Sequence, residues 1–295
     1  GTTSGNNGSV TSATAATLTS DQSGTTTYAG TIDGSVALVK TGNGTLILAL
    51  PSALTASSYT GGTTVNGGIL QVGNGTAANE SAGAFGTGTV TANTGGTLVF
   101  NNGTKTNSTS FANNFAFNGG TVFVPLNGGN TRLATGAGAT INIGAAGAII
   151  QANGVGGGDD ITLAGQLTGS GPITINNGAG SWVRFSNPDG TVAAPTYTGT
   201  VTIASGTNTI TISAGSNGTS LAGAAVVNNT TAGSGINFDT GINNVTFGSL
   251  AGTGAFALTT QAAAGAVNVT TGGNNTSTNY TGIISAGTVA GGKII

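Results

Sequence analysis

The segment Leu38–Gly73 alternates short apolar runs with glycine-rich turns, and this pattern constrains the fold more than any other feature of the sequence. The apolar runs are only a few residues long, as in Leu46-Ile47-Leu48, and turns such as Gly42-Asn43-Gly44 bound them. Glycine adopts positive φ without steric cost and asparagine tolerates it, whereas both are poor residues for a helix interior. The pattern therefore predicts a succession of short strands and corners.

Composition decides between a disordered chain and a folded one. Gly accounts for 56 of the 295 residues, charged residues for only 4%, and the net charge is −2. Disordered segments combine low hydrophobicity with a high net charge, and the net charge of this chain is low. Its few aromatic side chains cannot fill a thick core, whereas a thin core needs only a few apolar side chains per layer. We therefore predict an all-β fold, a β-solenoid of roughly a dozen rungs, each rung being one turn of the chain.

Two motifs in the same segment carry a family resemblance. The first is Lys40-Thr41-Gly42-Asn43-Gly44-Thr45-Leu46, and the second begins at Tyr59-Thr60-Gly61-Gly62-Thr63 and ends at Gly68-Ile69-Leu70-Gln71-Val72. The segment resembles the autotransporter-associated β-strand repeat of bacterial passenger domains. The resemblance implies a right-handed parallel β-helix that is exposed on, or shed from, the surface of a Gram-negative-type cell.

The chain shows no composition break that would mark a linker. We expect residues 25–295 to form a single solenoid, with residues 101–107 and 154–160 as its most polar excursions. The polar segment 1–24 is either a frayed terminus or a capping or exchanged strand. The sequence begins without a charged-then-apolar leader and has no apolar run of membrane-spanning length. Such a sequence is expected of a mature, processed chain or of one excised from a longer chain. Low charge, no Met and abundant Thr, Asn and Gly are typical of the bacterial exterior, so we expect an extracellular chain.

The last segment of the chain repeats the pattern of the first regular one. Ser277–Ile284 echoes Thr25–Ile32, and Gly292–Ile295 then falls where Leu38–Thr41 stands. A solenoid end is an open edge of unpaired backbone groups, and neither end has a charged or proline-rich cap. Either the chain belongs to a longer passenger, or the end of one subunit completes the first rung of the next. The residues expected at such a contact are Tyr28, Lys40, Tyr280, Ile284, Lys293, Ile294 and Ile295.

Residues that carry chemistry are scarce. Without His or Cys there is no histidine base, thiolate nucleophile or soft-metal cluster, and we expect neither enzymatic activity nor a cofactor. Asp159 and Asp160 are the one adjacent acidic pair, which we expect to form a solvated turn, with a calcium site as the weaker alternative. Five basic residues cannot neutralise a nucleic-acid backbone, so we expect no nucleic-acid partner.

Two classes of function remain open. In the first, the protein is a non-enzymatic extracellular structural subunit that self-associates head to tail into a filament or surface layer, with copies of itself as partners. In the alternative, it is a stalk or adhesin that presents loops to a cell or a glycan. Trp182, with Arg184 and Phe185, is expected to be a core or corner aromatic, and an exposed platform for stacking sugars is the alternative.

Overall fold

The predicted solenoid is confirmed by a computed structural model. It describes residues 8–50, 56–76, 83–103, 108–154, 159–178, 180–186, 196–213, 218–231, 233–261, 264–287 and 289–295. These residues form 28 strands and no α-helix, and hence no helix that could cross a membrane. The strands pair in parallel into a solenoid of about ten rungs, the number of strands in its longest sheet. Of the expected polar excursions, residues 104–107 and 155–158 lie outside the described residues.

Each rung contributes one strand to each of up to three sheets. The first sheet contains, in order, β1 (Val10–Asp21), β3 (Ile32–Thr41), β5 (Thr63–Val65), β7 (Val90–Asn93), β10 (Phe115–Asn118), β13 (Thr140–Ile143) and β16 (Gln166–Gly169). The second contains β2 (Thr25–Tyr28), β4 (Thr45–Leu48), β6 (Gly68–Val72), β8 (Gly96–Phe100), β11 (Gly120–Val124), β14 (Ala148–Ala152), β17 (Ile173–Ile175), β19 (Thr200–Ile203), β21 (Ala225–Asn228) and β24 (Ser249–Gly252).

The third sheet begins several rungs later. It contains β9 (Ser108–Phe111), β12 (Asn130–Leu133), β15 (Ile161–Leu163), β18 (Val183–Phe185), β20 (Ile210–Ile212), β22 (Ser234–Phe238), β25 (Ala255–Ala257) and β27 (Ile284–Ser285). A fourth sheet joins β23 (Asn244–Thr246), β26 (Asn268–Thr270) and β28 (Lys293–Ile294). β23 lies between a third-sheet and a second-sheet strand in chain order, as β10 does. The fourth sheet therefore continues the face of the first.

β1 and β3 each run over two faces of the solenoid. The second half of β3 pairs with β5, Leu38–Lys40 lying beside Thr63–Val65. The first half lies one face earlier, where the Ile32 carbonyl accepts a hydrogen bond from the Ser58 N–H. Ser58 stands between a second-sheet strand and a first-sheet strand, which is the place of the third sheet in later rungs. Hence β1, which pairs with β3 along most of its length, also covers the third and first faces.

The core is a thin column of side chains stacked in register. Alternate residues of a strand point inwards, so a parallel ladder places the inward residues of successive rungs directly above one another. One such column in the second sheet is fully buried over six rungs and consists of Leu70, Leu98, Val122, Ile150, Ile175 and Ile203. Stacked aliphatic layers of this kind explain how a chain with one Trp and four Tyr can still bury a continuous core.

Candidate functional site

All four tyrosines of the chain bond to the backbone of an adjacent rung or to a side chain at a corner. In three of them the hydroxyl donates to a glycine carbonyl one rung earlier. The pairs are Tyr28 with Gly8, Tyr197 with Gly171 and Tyr280 with Gly254. Tyr59 is fully buried and bonds instead to the Thr63 hydroxyl. Tyrosine at a corner therefore links neighbouring rungs.

The glycine two residues after two of these tyrosines is required by the close approach of two rungs. A Cβ at Gly30 would overlap the carbonyl oxygen of Gly8, and a Cβ at Gly282 would overlap that of Gly254. No side chain fits there, because the obstacle is backbone that cannot move aside. The echo of Tyr28-Ala29-Gly30 in Tyr280-Thr281-Gly282 thus marks the same stacked corner near each end of the solenoid.

The N-terminal end of the described chain is an open edge. β1 pairs on one side with β3, and β2 pairs on one side with β4, which leaves their outer edges without a partner among the described residues. Val10, Leu18 and Tyr28 are only half buried, since no described rung covers them. β1 pairs in parallel with β3, with a register shift between Ser12 and Ala16, and so belongs to the first rung, while residues 1–7 lie outside the described residues.

The C-terminal end is a second open edge, and it is more apolar. β27 and β28 are the last strands of their sheets, and Tyr280 extends the second sheet by a parallel bridge to Gly252. Ile284 and Tyr280 are half buried, and Lys293 is exposed. Large exposed fractions are found for Ile283 (73%), Ile294 (43%) and Ile295 (67%). The edge therefore carries an unusual concentration of uncovered aliphatic side chains.

The two ends present their strands in the same order and direction. At the C-terminal end, the chain passes from the second face at Tyr280 to the third at β27 and the first at β28. At the N-terminal end, β1 covers the third and first faces, and β2 then covers the second. Each end thus offers one parallel edge on each of three faces.

A cluster of charged side chains lies on the outer surface of the third sheet. The Arg184 Nη1 donates to Asp239 at 2.9 Å, its Nε lies 3.4 Å from Asp160, and its guanidinium stacks 4.6 Å from the centre of the Trp182 ring. Burial raises the pKa of the Asp160 carboxyl, an effect that the Trp182 N–H and Arg184 oppose. Trp182 is half buried at a corner with Arg184 over its face, and Phe185 lies in the core.

Asp159 and Asp160 are buried, so the solvated turn expected for them is wrong. Asp159 accepts hydrogen bonds from the N–H groups of Asn127 and Gly129, at 3.1 and 2.9 Å. Asp160 accepts from the Trp182 N–H at 2.9 Å and faces Arg184. Within the described ranges no group of three or more acidic side chains converges as a metal site would require. Each carboxylate instead bonds to donors of the protein itself.

Comparison with known proteins finds a match in the segment of short apolar runs and glycine-rich turns. A family model described as passenger-associated-transport-repeat matches residues 38–72. Residues 38–72 are a passenger-associated transport repeat. The match confirms the resemblance to bacterial autotransporter passengers, and it indicates a secreted or surface-exposed bacterial protein. No curated protein and no solved structure matches the chain.

The structure gives the first lysine of the passenger-associated transport repeat a role within the fold. The Lys40 side chain is fully buried, and its Nζ donates to the carbonyls of Thr41, Gly42 (2.9 Å) and Gly67 (3.3 Å). Desolvation lowers the pKa of Lys40, while Asp21 nearby opposes this. Lys40 therefore holds the corners of two successive rungs together and contributes no side chain to the end surface, where the sequence pattern had placed it.

Proposed function

We propose that the protein is a non-enzymatic structural subunit of the bacterial cell exterior, and that copies of it join head to tail into a filament or surface layer. The passenger-associated transport repeat and the solenoid fold support the cellular location and the structural role. The observation that carries the self-association is the match between the two open edges, which have the same order of faces and the same strand direction.

In the proposed junction, the first rung of one subunit continues the last rung of another. β1 pairs with β27 and then β28, while on the second face β2 stands two strand spacings from the strand through Tyr280. Inward side chains Val10 and Leu18 then cover the half-exposed Ile284 and Ile294, so that both apolar columns continue across the junction. Strand addition of this kind supplies main-chain hydrogen bonds, and a head-to-tail contact that does not close on itself generates a filament.

Charge also favours the proposed contact. Between residues 8 and 28 the sole charged side chain is Asp21, and between residues 279 and 295 it is Lys293. The two edges therefore carry opposite charges, and the low net charge of −2 adds little repulsion between copies.

The stacked glycines give the junction a register that can be tested. Gly30 lies over Gly8, and Gly282 lies over Gly254, each at a distance that excludes a Cβ. Continuing the stack places Gly8 of one copy over Gly282 of the preceding copy. In the single chain a Cβ at Gly8 meets no atom within 4 Å, and Gly8 has no positive φ. Alanine at Gly8 should therefore leave folding intact and block the junction.

The experiment compares Gly8→Ala with Gly178→Ala, at equal concentration, by sedimentation velocity and negative-stain electron microscopy. Gly178 is a control in the middle of the solenoid, where a Cβ has its nearest neighbour at 3.5 Å. We expect filaments from the wild type and from Gly178→Ala, and single rods from Gly8→Ala with an unchanged circular dichroism spectrum. Filaments from Gly8→Ala that equal those of the wild type would overturn the proposed register.

A second variant tests the opposite end. Ile294→Lys places a charge on the apolar C-terminal edge, where Ile294 is 43% exposed in the single chain, so the fold should tolerate the change. We expect this variant to remain as single rods. Because Gly8→Ala blocks only the N-terminal edge, a small fraction of it mixed with wild-type subunits should shorten the filaments, as a chain terminator does.

The alternative function is a stalk or adhesin, in which the solenoid continues covalently into further repeats. The passenger-associated transport repeat supports this alternative as well. Covalent continuation into further repeats would cover the open edge without a second copy of the protein. The intact mass of the native protein separates the two functions when it is combined with the micrographs. A native mass well above 27.8 kDa together with monodisperse wild-type rods would favour the stalk and refute self-association.

A further inference from the structure

A polar cleft of about 280 Å³ opens on the side of the solenoid, away from both ends. Its walls come from the outer surface of the third sheet, where β12, β15 and β18 lie side by side. The side chains that line it include Asn130, Arg132, Asp160, Thr162, Arg184 and Ser186. No described side chain of the lining is aliphatic or aromatic, so the cleft does not suit an apolar ligand.

Two arginines stand at opposite ends of one outward column in this cleft. Arg132 lies beside Thr162 in the parallel ladder, and Thr162 lies beside Arg184. Neighbouring strands are ~4.8 Å apart, so the Cα atoms of the two arginines are separated by about two strand spacings. The column is therefore long enough to accommodate a ring-sized ligand across Thr162.

The two arginines differ in whether the guanidinium group is free to bind a ligand. Arg184 is held by Asp239 at 2.9 Å, by Asp160 at 3.4 Å and by the ring of Trp182, so its charge is more than neutralised and its position is fixed. Arg132 is exposed, and no acidic partner lies within ion-pair distance of it in the described part of the chain. The cleft thus has a rigid wall on one side and an unpaired guanidinium on the other.

Two hydroxyl groups in the cleft also lack partners. Thr162 and Ser186 are each only 9% exposed, both line the cleft, and neither hydroxyl has a hydrogen-bond partner among the described residues. Neither oxygen is among the fully buried polar atoms without a partner, so both hydroxyls open into the cleft, where they can donate to or accept from a bound molecule. Both groups are directed to the same space as the free guanidinium.

We propose that this cleft binds an acidic sugar, a hexuronate unit of a polysaccharide. The Arg132 guanidinium matches a sugar carboxylate in a two-pronged, charge-assisted contact. The hydroxyls of Thr162 and Ser186, with the acceptor oxygens of Asn130 and Asp160, match the hydroxyl groups of the ring. A phosphorylated ligand fits less well, because only one unpaired cation is present to balance two negative charges.

The inference is independent of head-to-tail assembly, because the cleft lies on the side of the rod. It is tested by calorimetry and chemical-shift titration with α-1,4-linked trigalacturonate and with the methyl ester of the same trisaccharide. We expect the wild type to bind the acid and to bind the ester at least tenfold more weakly. Equal affinity for both, or no binding of the acid, would overturn the proposal.

Substitutions in the cleft test whether the sugar binds there. Arg132→Gln keeps the length and hydrogen-bonding capacity of the side chain but removes the charge, and we expect affinity for trigalacturonate to fall by roughly 10- to 100-fold. Thr162→Val should reduce affinity several-fold. Thr202→Val is the matched control, because it removes an outward hydroxyl of the second sheet away from the cleft, and it should leave affinity unchanged. An Arg132→Gln variant that binds as the wild type does would refute the assignment, even if assembly proceeded as proposed.

Discussion

Two tyrosines provide a direct measure of how much a corner hydrogen bond stabilises the solenoid. The Tyr197 hydroxyl lies 2.8 Å from the Gly171 carbonyl and 3.0 Å from the Thr200 carbonyl. The Tyr28 hydroxyl has the same two kinds of partner, at 2.9 Å in the preceding rung and 2.8 Å three residues further along the chain. The contacts are alike, but Tyr197 is 1% exposed and Tyr28 is only half buried.

Burial determines the cost of removing the hydroxyl. Tyr197→Phe leaves carbonyl oxygens in the interior without a donor, and a buried unsatisfied group costs about 1–3 kcal/mol. In Tyr28→Phe, water can replace the hydroxyl, so the loss should approach the net value of an ordinary hydrogen bond, about 1 kcal/mol or less. We therefore expect Tyr197→Phe to reduce the free energy of unfolding more than Tyr28→Phe does.

The measurement is guanidinium denaturation followed by far-ultraviolet circular dichroism. Both substitutions are made in the Ile294→Lys background, so that subunit contacts do not contribute to stability. The comparison uses transition midpoints at equal slope, because a change of slope would indicate that the rungs no longer unfold together. Equal losses, or a larger loss for Tyr28→Phe, would refute the view that the corner tyrosines act through buried carbonyls.

Two further predictions concern the repeat and the effect of pH. Lys40→Met keeps the apolar stem but leaves three carbonyls without their donor, so the free energy of unfolding should fall by about 1–3 kcal/mol in chemical denaturation, and unchanged stability would contradict the proposed role. Burial raises the pKa of Tyr59 and Tyr197 well above the ordinary value of 10.0. Their stabilising contribution is complete below pH 10 and decreases above it, by about 1.4 kcal/mol per pH unit for each tyrosine. A spectrophotometric titration should then show their phenolate signal appearing together with loss of β-structure, and ionisation near pH 10 in an intact fold would contradict this.

The fold followed from local signals that do not depend on distant contacts. Short apolar runs and positive-φ turns in Leu38–Gly73 predict strands and corners, and low charge with few aromatics favours a thin stacked core. The sequence around Tyr28 is repeated around Tyr280 because the same kind of corner requires a tyrosine and a glycine two residues later. The parallel sheets and the transport repeat confirm these inferences.

Side-chain positions that depend on the stacking of rungs could not be predicted. From the sequence, Lys40 is expected at the surface. In the fold it is buried, because Gly67 of the next rung provides a carbonyl acceptor for its ammonium group. Asp159 and Arg184 likewise bond to residues that are distant in the chain, such as Gly129 and Asp239. Rung length varies along this solenoid, so sequence spacing alone does not indicate which residues become neighbours. The cleft beside Arg132 was missed for the same reason.

The central claim is that one subunit continues the solenoid of the next. Cryo-electron microscopy of the assembled native protein tests it most directly, through the axial repeat and the register at the junction. The face that carries β1 and β27 has twelve strand levels, namely β1, β3, the segments at Ser58 and Thr87, and the eight strands of the third sheet. At ~4.8 Å per level they predict an axial repeat of roughly 58 Å, with β1 paired to β27 and Gly8 stacked over Gly282 of the preceding copy. Rods that never join, or filaments in which subunits meet through their sides and leave both edges open, would contradict the account.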